Sequence, residues 1–263
     1  MTIPLKTCLA ACVLLVTASS VHAAELAPHQ AGYTIVLDEA RDASIAAVSG
    51  QVVLGLQKVC EGWVQQQSNL MNMHLPSGDV IPQSVSFSSL ESGTHYRFTA
   101  KVGDATDGSI MGSADMPVGG GAGRAVYSRP QDATFVLPPD TLFPVAHTRF
   151  LIDGAKAGKA QLESHIFEGA EVEGAKLLVA FVSPLSGNAK AIIDALGGDL
   201  VRRPGWNFHL AYFDPADQTG VPLYEVEVDL LDNGVALRWM LDYGSFVAEM
   251  KLGKIEALPP PHC

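Results

Sequence analysis

The chain has 263 residues, of which 48% are hydrophobic and 17% are charged, and its formal net charge is −11. This composition is typical of a globular protein and excludes an intrinsically disordered chain, which would carry fewer apolar residues. The negative charge argues against nucleic acid and anionic lipid headgroups as partners, because an acidic surface repels both.

Residues 1–23, MTIPLKTCLAACVLLVTASSVHA, have the features of a cleaved secretory signal peptide. Lys6 supplies the positive charge, an apolar run follows it, and small residues lie at the two positions that signal peptidase recognises. We expect cleavage after Ala23 or Ala24, which leaves residues 24–263 as one exported periplasmic domain with a formal charge of −12. The apolar run is shorter than the roughly 20 residues of a membrane span, and no later stretch reaches that length, so we predict no transmembrane segment.

An alternative for this leader is lipid acylation at Cys12, because Leu9-Ala10-Ala11-Cys12 matches a lipoprotein processing site. The stretch between Lys6 and Cys12 is too short for the usual apolar segment of roughly 7 to 15 residues. The apolar run also continues beyond Cys12. Ordinary signal cleavage is therefore the better interpretation.

Removal of the leader would take away Cys8 and Cys12 and leave two cysteines, Cys60 and Cys263. In an oxidising export compartment, an even pair of cysteines predicts a disulfide bond. Such a bond would close a loop of about 200 residues and contribute on the order of 5 kcal/mol in the chain-entropy description of the unfolded state. We therefore expect the terminal cysteine to be tied to the first long hairpin.

Alternation of apolar and polar residues with a period of two dominates the chain from Tyr33 onward and predicts strands. The clearest stretch, YEVEVDLL, runs into Asp232-Asn233-Gly234, whose Asn-Gly pair favours a type I′ hairpin turn. Two further alternating stretches follow, so we predict an antiparallel meander near the C-terminus. Many strands with short turns predict a mainly β protein, in which one large antiparallel sheet curls on itself and hides its edges.

Helix signals are confined to two stretches, so we expect only one or two short helices. In TLFPVAHTRFLIDGAKAGK, Pro144 suits the first turn of a helix, and Phe143 and His147 fall near helical spacing. Either Gly154 or Gly158 would end this helix. The second stretch, GNAKAIIDALGG, is bounded by glycines at both ends.

Tests for chemistry give no recognisable catalytic signature. The glycine cluster at Gly119–Gly123 lacks the spacing and the following Lys-Ser/Thr of a phosphate-binding loop, so it predicts a flexible turn. Met71, Met73 and His74 carry groups that bind copper(I), but they make a thin ligand set, and methionines commonly fill cores. His147 is the most interesting titratable residue, and we interpret it as a hydrogen-bonded anchor of its helix rather than a catalytic base. We therefore predict no enzyme activity, no cofactor and no metal.

The stretches ELAPHQAGYTIVLDEA, KVCEGW, LPPDTLFPVAHTRFLI and GVALRWMLDYGSFVAEMKLGKIEAL, with the terminal cysteine, occur in this order. Together they resemble the EipB family of alphaproteobacterial periplasmic proteins, which are involved in cell envelope integrity and were long classed as a domain of unknown function. The resemblance implies a β-spiral, a highly bent antiparallel sheet forming an open barrel, with a helix at LFPVAH lying against the opening. It also implies that the cysteine pair of the family corresponds to Cys60 and Cys263. Asp140 departs from the glycine expected before TLFP, so the turn into the helix should differ in shape.

The leading hypothesis is an exported, non-enzymatic protein that supports cell envelope integrity by binding a periplasmic protein partner or a lipid-like ligand. A lipid or lipoprotein carrier is the first alternative, because a curled sheet with an apolar inner face could hold such a molecule. A hydrolase of envelope glycan or lipid is the second alternative. The contents of the barrel interior distinguish these three hypotheses. An open apolar cavity favours the carrier, a filled interior favours an interaction protein, and a histidine-carboxylate pair in a cleft favours the enzyme.

Overall fold

A computed structural model describes residues 24–103, 108–217 and 219–263. The predicted signal peptide, residues 1–23, lies outside the described residues, and its removal stays a prediction. The described chain is mainly β, as the alternation of apolar and polar residues predicted. The strands are β1 (His29–Ala40), β2 (Ala47–Val59), β3 (Gly62–His74), β4 (Val80–Ser92), β5 (His95–Val102), β6 (Ser109–Asp115), β7 (Gly123–Arg129), β8 (Ala133–Leu137), β9 (Gln161–Ile166), β10 (Lys176–Pro184), β11 (Gly205–Phe213), β12 (Tyr224–Leu231), β13 (Ala236–Asp242) and β14 (Phe246–Ala257), and the helices are α1 (Pro144–Lys156) and α2 (Gly187–Leu196).

The strands form one 14-stranded antiparallel sheet in the order β8-β7-β6-β5-β4-β3-β2-β1-β14-β13-β12-β11-β10-β9. Neighbours in the sheet are neighbours in sequence except where the first strand, β1, pairs with the last, β14. The free edges are therefore β8 and β9, and α1 lies between them in the chain. Leu142, which precedes α1, makes a single parallel bridge with Ile166 of β9. The sheet is curled but not closed by a strand ladder.

The connection between β9 and β10, residues 167–175, reaches strands on the far side of the opening. The Tyr96 hydroxyl on β5 donates a hydrogen bond to the Glu168 carbonyl at 2.8 Å. The Tyr127 hydroxyl on β7 donates to the Glu171 carbonyl at 2.7 Å. Buried tyrosines thus hold the two halves of the curled sheet together where no strands pair.

Helix α1 fills the interior of the curled sheet. Val145, Leu151 and Ile152 pack in one buried cluster with side chains of β2, β3 and β9 to β13. The cluster includes Leu178 and Phe208, which are fully buried. Helix α2 contributes to a second cluster, with β1, β2, β13 and β14. The core therefore lies between the helices and the apolar residues that alternate along the strands.

Both predicted helices are present, and α1 continues past Gly154 to Lys156. A Cβ atom at Gly154 would lie 2.5 Å from the Leu162 side chain, so this glycine allows α1 to approach β9 closely rather than ending the helix. Gly158, with φ of 75°, follows the helix end. Within the described part of the chain, neither helix has the length and apolar character needed to span a membrane.

The hairpin between β12 and β13 differs from the predicted type I′ turn. A type I′ turn needs positive φ at both central residues, whereas Gly234 alone in this loop has positive φ, at 85°. The Gly234 amide donates to the Leu231 carbonyl at 2.9 Å, and the Leu231 amide donates to the Val235 carbonyl at 2.8 Å. The loop therefore has three residues, and the strand register shifts between Asp229 and Leu230.

Asp140, in the turn before α1, has φ of 61° and is the one described non-glycine residue with positive φ. The resemblance led us to expect glycine here, and glycine adopts this left-handed conformation without steric cost. Aspartate tolerates the conformation better than most residues do. The turn before α1 thus has a left-handed residue at Asp140, and the difference in shape from the turn of the family stays a prediction.

Cys60, in the turn between β2 and β3, is bonded to Cys263, and their Cα atoms are 5.7 Å apart. The strands β2, β1 and β14 are consecutive in the sheet, so the bond lies at the middle of the sheet and not at its free edges. The Leu258 amide also donates to the Pro28 carbonyl at 3.0 Å. The disulfide thus fastens the C-terminal tail where the first and last strands pair.

Candidate functional site: the interior around the first helix

The N-terminus of α1 is held by a carboxylate from the sheet. Glu91 on β4 accepts hydrogen bonds from the amides of Val145 at 2.7 Å and Ala146 at 2.8 Å. First-turn amides lack partners within a helix, and the positive end of the helix dipole favours a carboxylate. The N-cap residue Phe143 makes no side-chain hydrogen bond, so Glu91 supplies the cap. Burial raises the pKa of Glu91, and the two hydrogen bonds and Arg149 oppose that rise.

Phe143 and Pro144, two of the residues singled out from the sequence, lie at the start of α1. Pro144 is the first helical residue. Phe143 is 2% exposed, stacks on Tyr96 with ring centroids 5.0 Å apart, and meets Phe167 edge-on at 6.4 Å. These rings belong to an aromatic cluster between β5 to β8 and the connection from β9 to β10. Phe143 is thus a core residue that seats the helix.

His147, the third of these residues, lies one turn into α1 and is 5% exposed. Burial lowers the pKa of His147 to about 4, so its imidazole is neutral near pH 7. Its Nε2 atom has no hydrogen-bond partner among the described residues. This differs from the hydrogen-bonded anchor that the sequence suggested.

His147 faces a cavity of about 170 Å³ between α1 and the sheet. His29 also lines it, with Nδ1 2.7 Å from the Ala27 carbonyl, so Nδ1 carries the proton and Nε2 is left as an acceptor. Burial lowers the pKa of His29 as well. Four lining side chains have a buried polar atom without a hydrogen-bond partner among the described residues: His29, Gln65, His147 and Trp239. At about 30 Å³ per molecule, the cavity has room for about five molecules of the size of water.

A cluster of charged and phenolic groups adjoins this cavity, and Glu168 and Tyr212 of the cluster line it. The carboxylate of Glu168 lines it, and burial raises the pKa of Glu168, opposed by the nearby Lys176. Burial lowers the pKa of Lys176, whose ammonium contacts the Glu173 carboxylate. The Tyr224 hydroxyl donates to Glu168 at 3.4 Å, and its ring stacks on Tyr212 at 4.4 Å. Charges at this site are thus paired with one another inside the fold.

These groups are not arranged as a reaction centre. His147 and Glu168 line the same cavity, but the Glu168 carboxylate bonds to Tyr224, and Nε2 of His147 bonds to no described residue. A nucleophilic mechanism needs a base hydrogen-bonded to both its nucleophile and its orienting acid. In residues 24–103, 108–217 and 219–263, no three His, Cys, Asp or Glu side chains group as metal ligands.

The methionine pair suggested for copper lies in the core. Met71 and Met73 pack against the buried cluster around α2. His74 lies one position further along β3 and so faces the other side of the sheet. Its Nε2 atom lies 3.1 Å from the Ser49 hydroxyl on β2. The three groups therefore do not converge on one point.

A second concave surface, which the sequence did not reveal, is a cleft of about 620 Å³ where β12 begins and β13 ends. It is built from the turn after β1, the loop before β12 and the turn after β13. These segments are far apart in sequence, and the sequence of each one predicts only a turn. The apolar residues that line it are Pro222, Leu223, Tyr224, Val226, Leu241 and Tyr243.

Comparisons with known proteins agree with this geometry. A family model described as EipB-like matches residues 20–259. The cell envelope integrity protein EipB of Brucella abortus (strain 2308) is 28% identical over 252 residues, covering 91% of this chain and 87% of that protein. A crystal structure of a β-barrel-like protein of a domain of unknown function from Brucella abortus aligns with a TM-score of 0.81 at 24% identity, covering 90% of this chain and 100% of that one.

Proposed function

The chain belongs to the EipB-like family, and on that basis we propose that it is an exported, non-enzymatic periplasmic protein that supports cell envelope integrity by binding a protein partner. The relative in Brucella abortus is named for cell envelope integrity. The observation that favours protein binding over ligand carriage is the filled interior of the curled sheet.

Helix α1 occupies the space that a carrier would need for its cargo. Ile152 of α1 and Leu178 and Phe208 of the facing strands are fully buried against one another in a single cluster. The remaining cavity of about 170 Å³ is smaller than the roughly 300 to 1,000 Å³ of usual small-molecule pockets. A lipid-sized ligand carried inside the curled sheet would therefore have to displace α1, which the Glu91 carboxylate and the aromatic cluster hold in place.

The hydrolase alternative has less support than either binding role. His147 and Glu168 are the titratable pair nearest to a catalytic arrangement, and they lie at an interior cavity without a hydrogen bond joining them. The neutral His147 is buried, with its ring beside Phe150, as expected for a core side chain.

Native mass spectrometry of the protein purified gently from the envelope tests this proposal. We expect no adduct of lipid mass, so that the native spectrum shows the polypeptide of residues 24–263 by itself or together with a protein partner. A stoichiometric adduct of lipid mass that denaturation releases would overturn the protein-binding role and favour a carrier. Protein exposed to an added phospholipid before the measurement is the control for non-specific adducts.

A further inference from the structure

The 620 Å³ cleft has exposed apolar side chains on a rigid support. Leu223 is 55% exposed and Tyr243 is 52% exposed. Tyr243 stacks on Phe246 with ring centroids 4.9 Å apart, and Tyr224 in the cleft wall stacks on Tyr212. Exposed apolar groups gathered in a concave surface mark interaction sites, and aromatic rings held by packing bind with little loss of side-chain freedom.

An acidic surface adjoins this cleft on the other face of β12. Along this strand, Tyr224, Glu225 and Val226 line the cleft, and the half-buried Glu225 and Glu227 alternate with the two apolar residues. His209 lies between these two carboxylates, with Nε2 3.0 Å from Glu225 and Nδ1 3.7 Å from Glu227. The cleft and the acidic surface are therefore continuous around one strand.

Carboxylates outnumber cations on this surface. Its two arginines are already paired: Arg41 lies 2.8 Å from Asp242, and Arg238 lies 2.6 Å from Glu249. The surface therefore presents an excess of negative charge beside an apolar cleft. Its acidic side chains are Asp38, Glu39, Glu225, Glu227 and Asp242.

We propose that the cleft and the adjoining acidic surface dock a segment of a protein partner in which apolar side chains are flanked by lysine or arginine. The apolar side chains enter the cleft between Leu223 and Tyr243, and the cations face Glu225 and Glu227. This inference rests on the proposed protein-binding function and adds the place and the chemistry of the contact.

Charge complementarity selects this occupant over two others. A second copy of the chain would bring the same acidic side chains against one another, because a twofold interface uses the same patch on both subunits. An anionic lipid headgroup would meet the same repulsion. A basic and apolar segment instead gains from both the carboxylates and the cleft.

Fluorescence anisotropy with a labelled peptide of alternating leucine and lysine tests the surface directly. We expect binding that weakens about tenfold or more in the double variant Leu223→Ser, Tyr243→Ser and in the double variant Glu225→Lys, Glu227→Lys. The matched control is Leu70→Ser on β3, which removes a side chain that is 59% exposed elsewhere, and it should bind like the wild type. Equal loss in the control, or equal binding of a leucine-glutamate peptide, would overturn the proposal. Circular dichroism melting shows that each variant is folded.

A photo-crosslinking residue placed at Tyr243 or at Leu70 tests the same surface in the envelope. We expect capture at Tyr243 of a protein segment with basic residues around apolar ones, and loss of that capture with Glu225→Lys and Glu227→Lys. Capture of an acidic segment, a second copy or a lipid at Tyr243 would contradict the inference, as would no capture there. Capture of a protein only at other positions would defeat this inference but leave the proposed protein-binding function intact.

Discussion

The carboxylate of Glu91 on β4 lies 2.7 Å from the amide nitrogen of Val145 in the first turn of α1, and 54 residues of chain separate the two. The contact ties the helix that fills the interior to a strand of the surrounding sheet. The strength of this contact therefore determines whether α1 stays in place and closes the interior to ligands.

Glu91→Ala should lower the free energy of unfolding by about 2 to 4 kcal/mol, because it leaves two buried helix amides without a charged acceptor. Glu91→Gln keeps one acceptor oxygen and should cost less. Urea unfolding followed by tryptophan fluorescence measures both variants. Glu61→Ala, in the exposed turn after β2, is the control and should change stability little. Wild-type stability in Glu91→Ala would show that the contact does not hold the helix.

His147 should make the protein lose stability in acid. Its folded-state pKa of about 4 is below the ordinary value near 6.5, so the unfolded chain takes up a proton that the folded chain refuses. The resulting loss begins as the pH falls through about 6.5 and amounts to on the order of 3 kcal/mol by pH 4. His147→Leu should flatten this part of the profile, whereas the exposed His262→Gln should not. An equally steep profile in His147→Leu would assign the acid sensitivity to other groups.

Cys263→Ser should lower stability under oxidising conditions by roughly 2 to 5 kcal/mol, because the disulfide to Cys60 spans 203 residues of chain. Reductant should lower the melting temperature of the wild type to that of the variant and leave the melting temperature of the variant unchanged. Thermal melting with and without dithiothreitol measures this difference. Coincident melting of both proteins in both conditions would show that the bond does not stabilise the fold.

The alternation along the strands and the position of α1 could be predicted from the sequence because they depend on residues close together in the chain. Gly154 was one of two predicted ends of α1, but the helix continues past it. This glycine instead lets the helix approach the Leu162 side chain on the next strand closely, a contact that the local sequence does not reveal. The cap from Glu91 and the cleft at Tyr243 depend on segments that only the folded sheet brings together. Such contacts leave no periodicity or local motif in the sequence.

The backbone nitrogen of Ala24 lies 2.7 Å from the Asp153 carboxylate on α1, and Ala24 is 3% exposed. Cleavage after Ala24 would remove a buried residue, so we expect the exported protein to begin at Ala24. Its new ammonium group would then pair with Asp153, and Asp153→Asn should cost about 1 to 3 kcal/mol. Intact mass and urea unfolding check the two parts. In a chain that starts at Glu25, the same substitution should have little effect, and an equal cost there would contradict the pairing.

Envelope-stress survival tests most directly whether the protein acts through its surface rather than through its interior. The test strain lacks this protein and carries variants expressed at wild-type level. Gln65→Leu changes the wall of the cavity around α1, and Leu223→Ser with Tyr243→Ser changes the cleft where β12 begins and β13 ends. We predict that the cavity variant restores survival on detergent plates and the cleft variant does not. Full rescue by the cleft variant together with failure of the cavity variant would contradict the account and place the function inside the barrel.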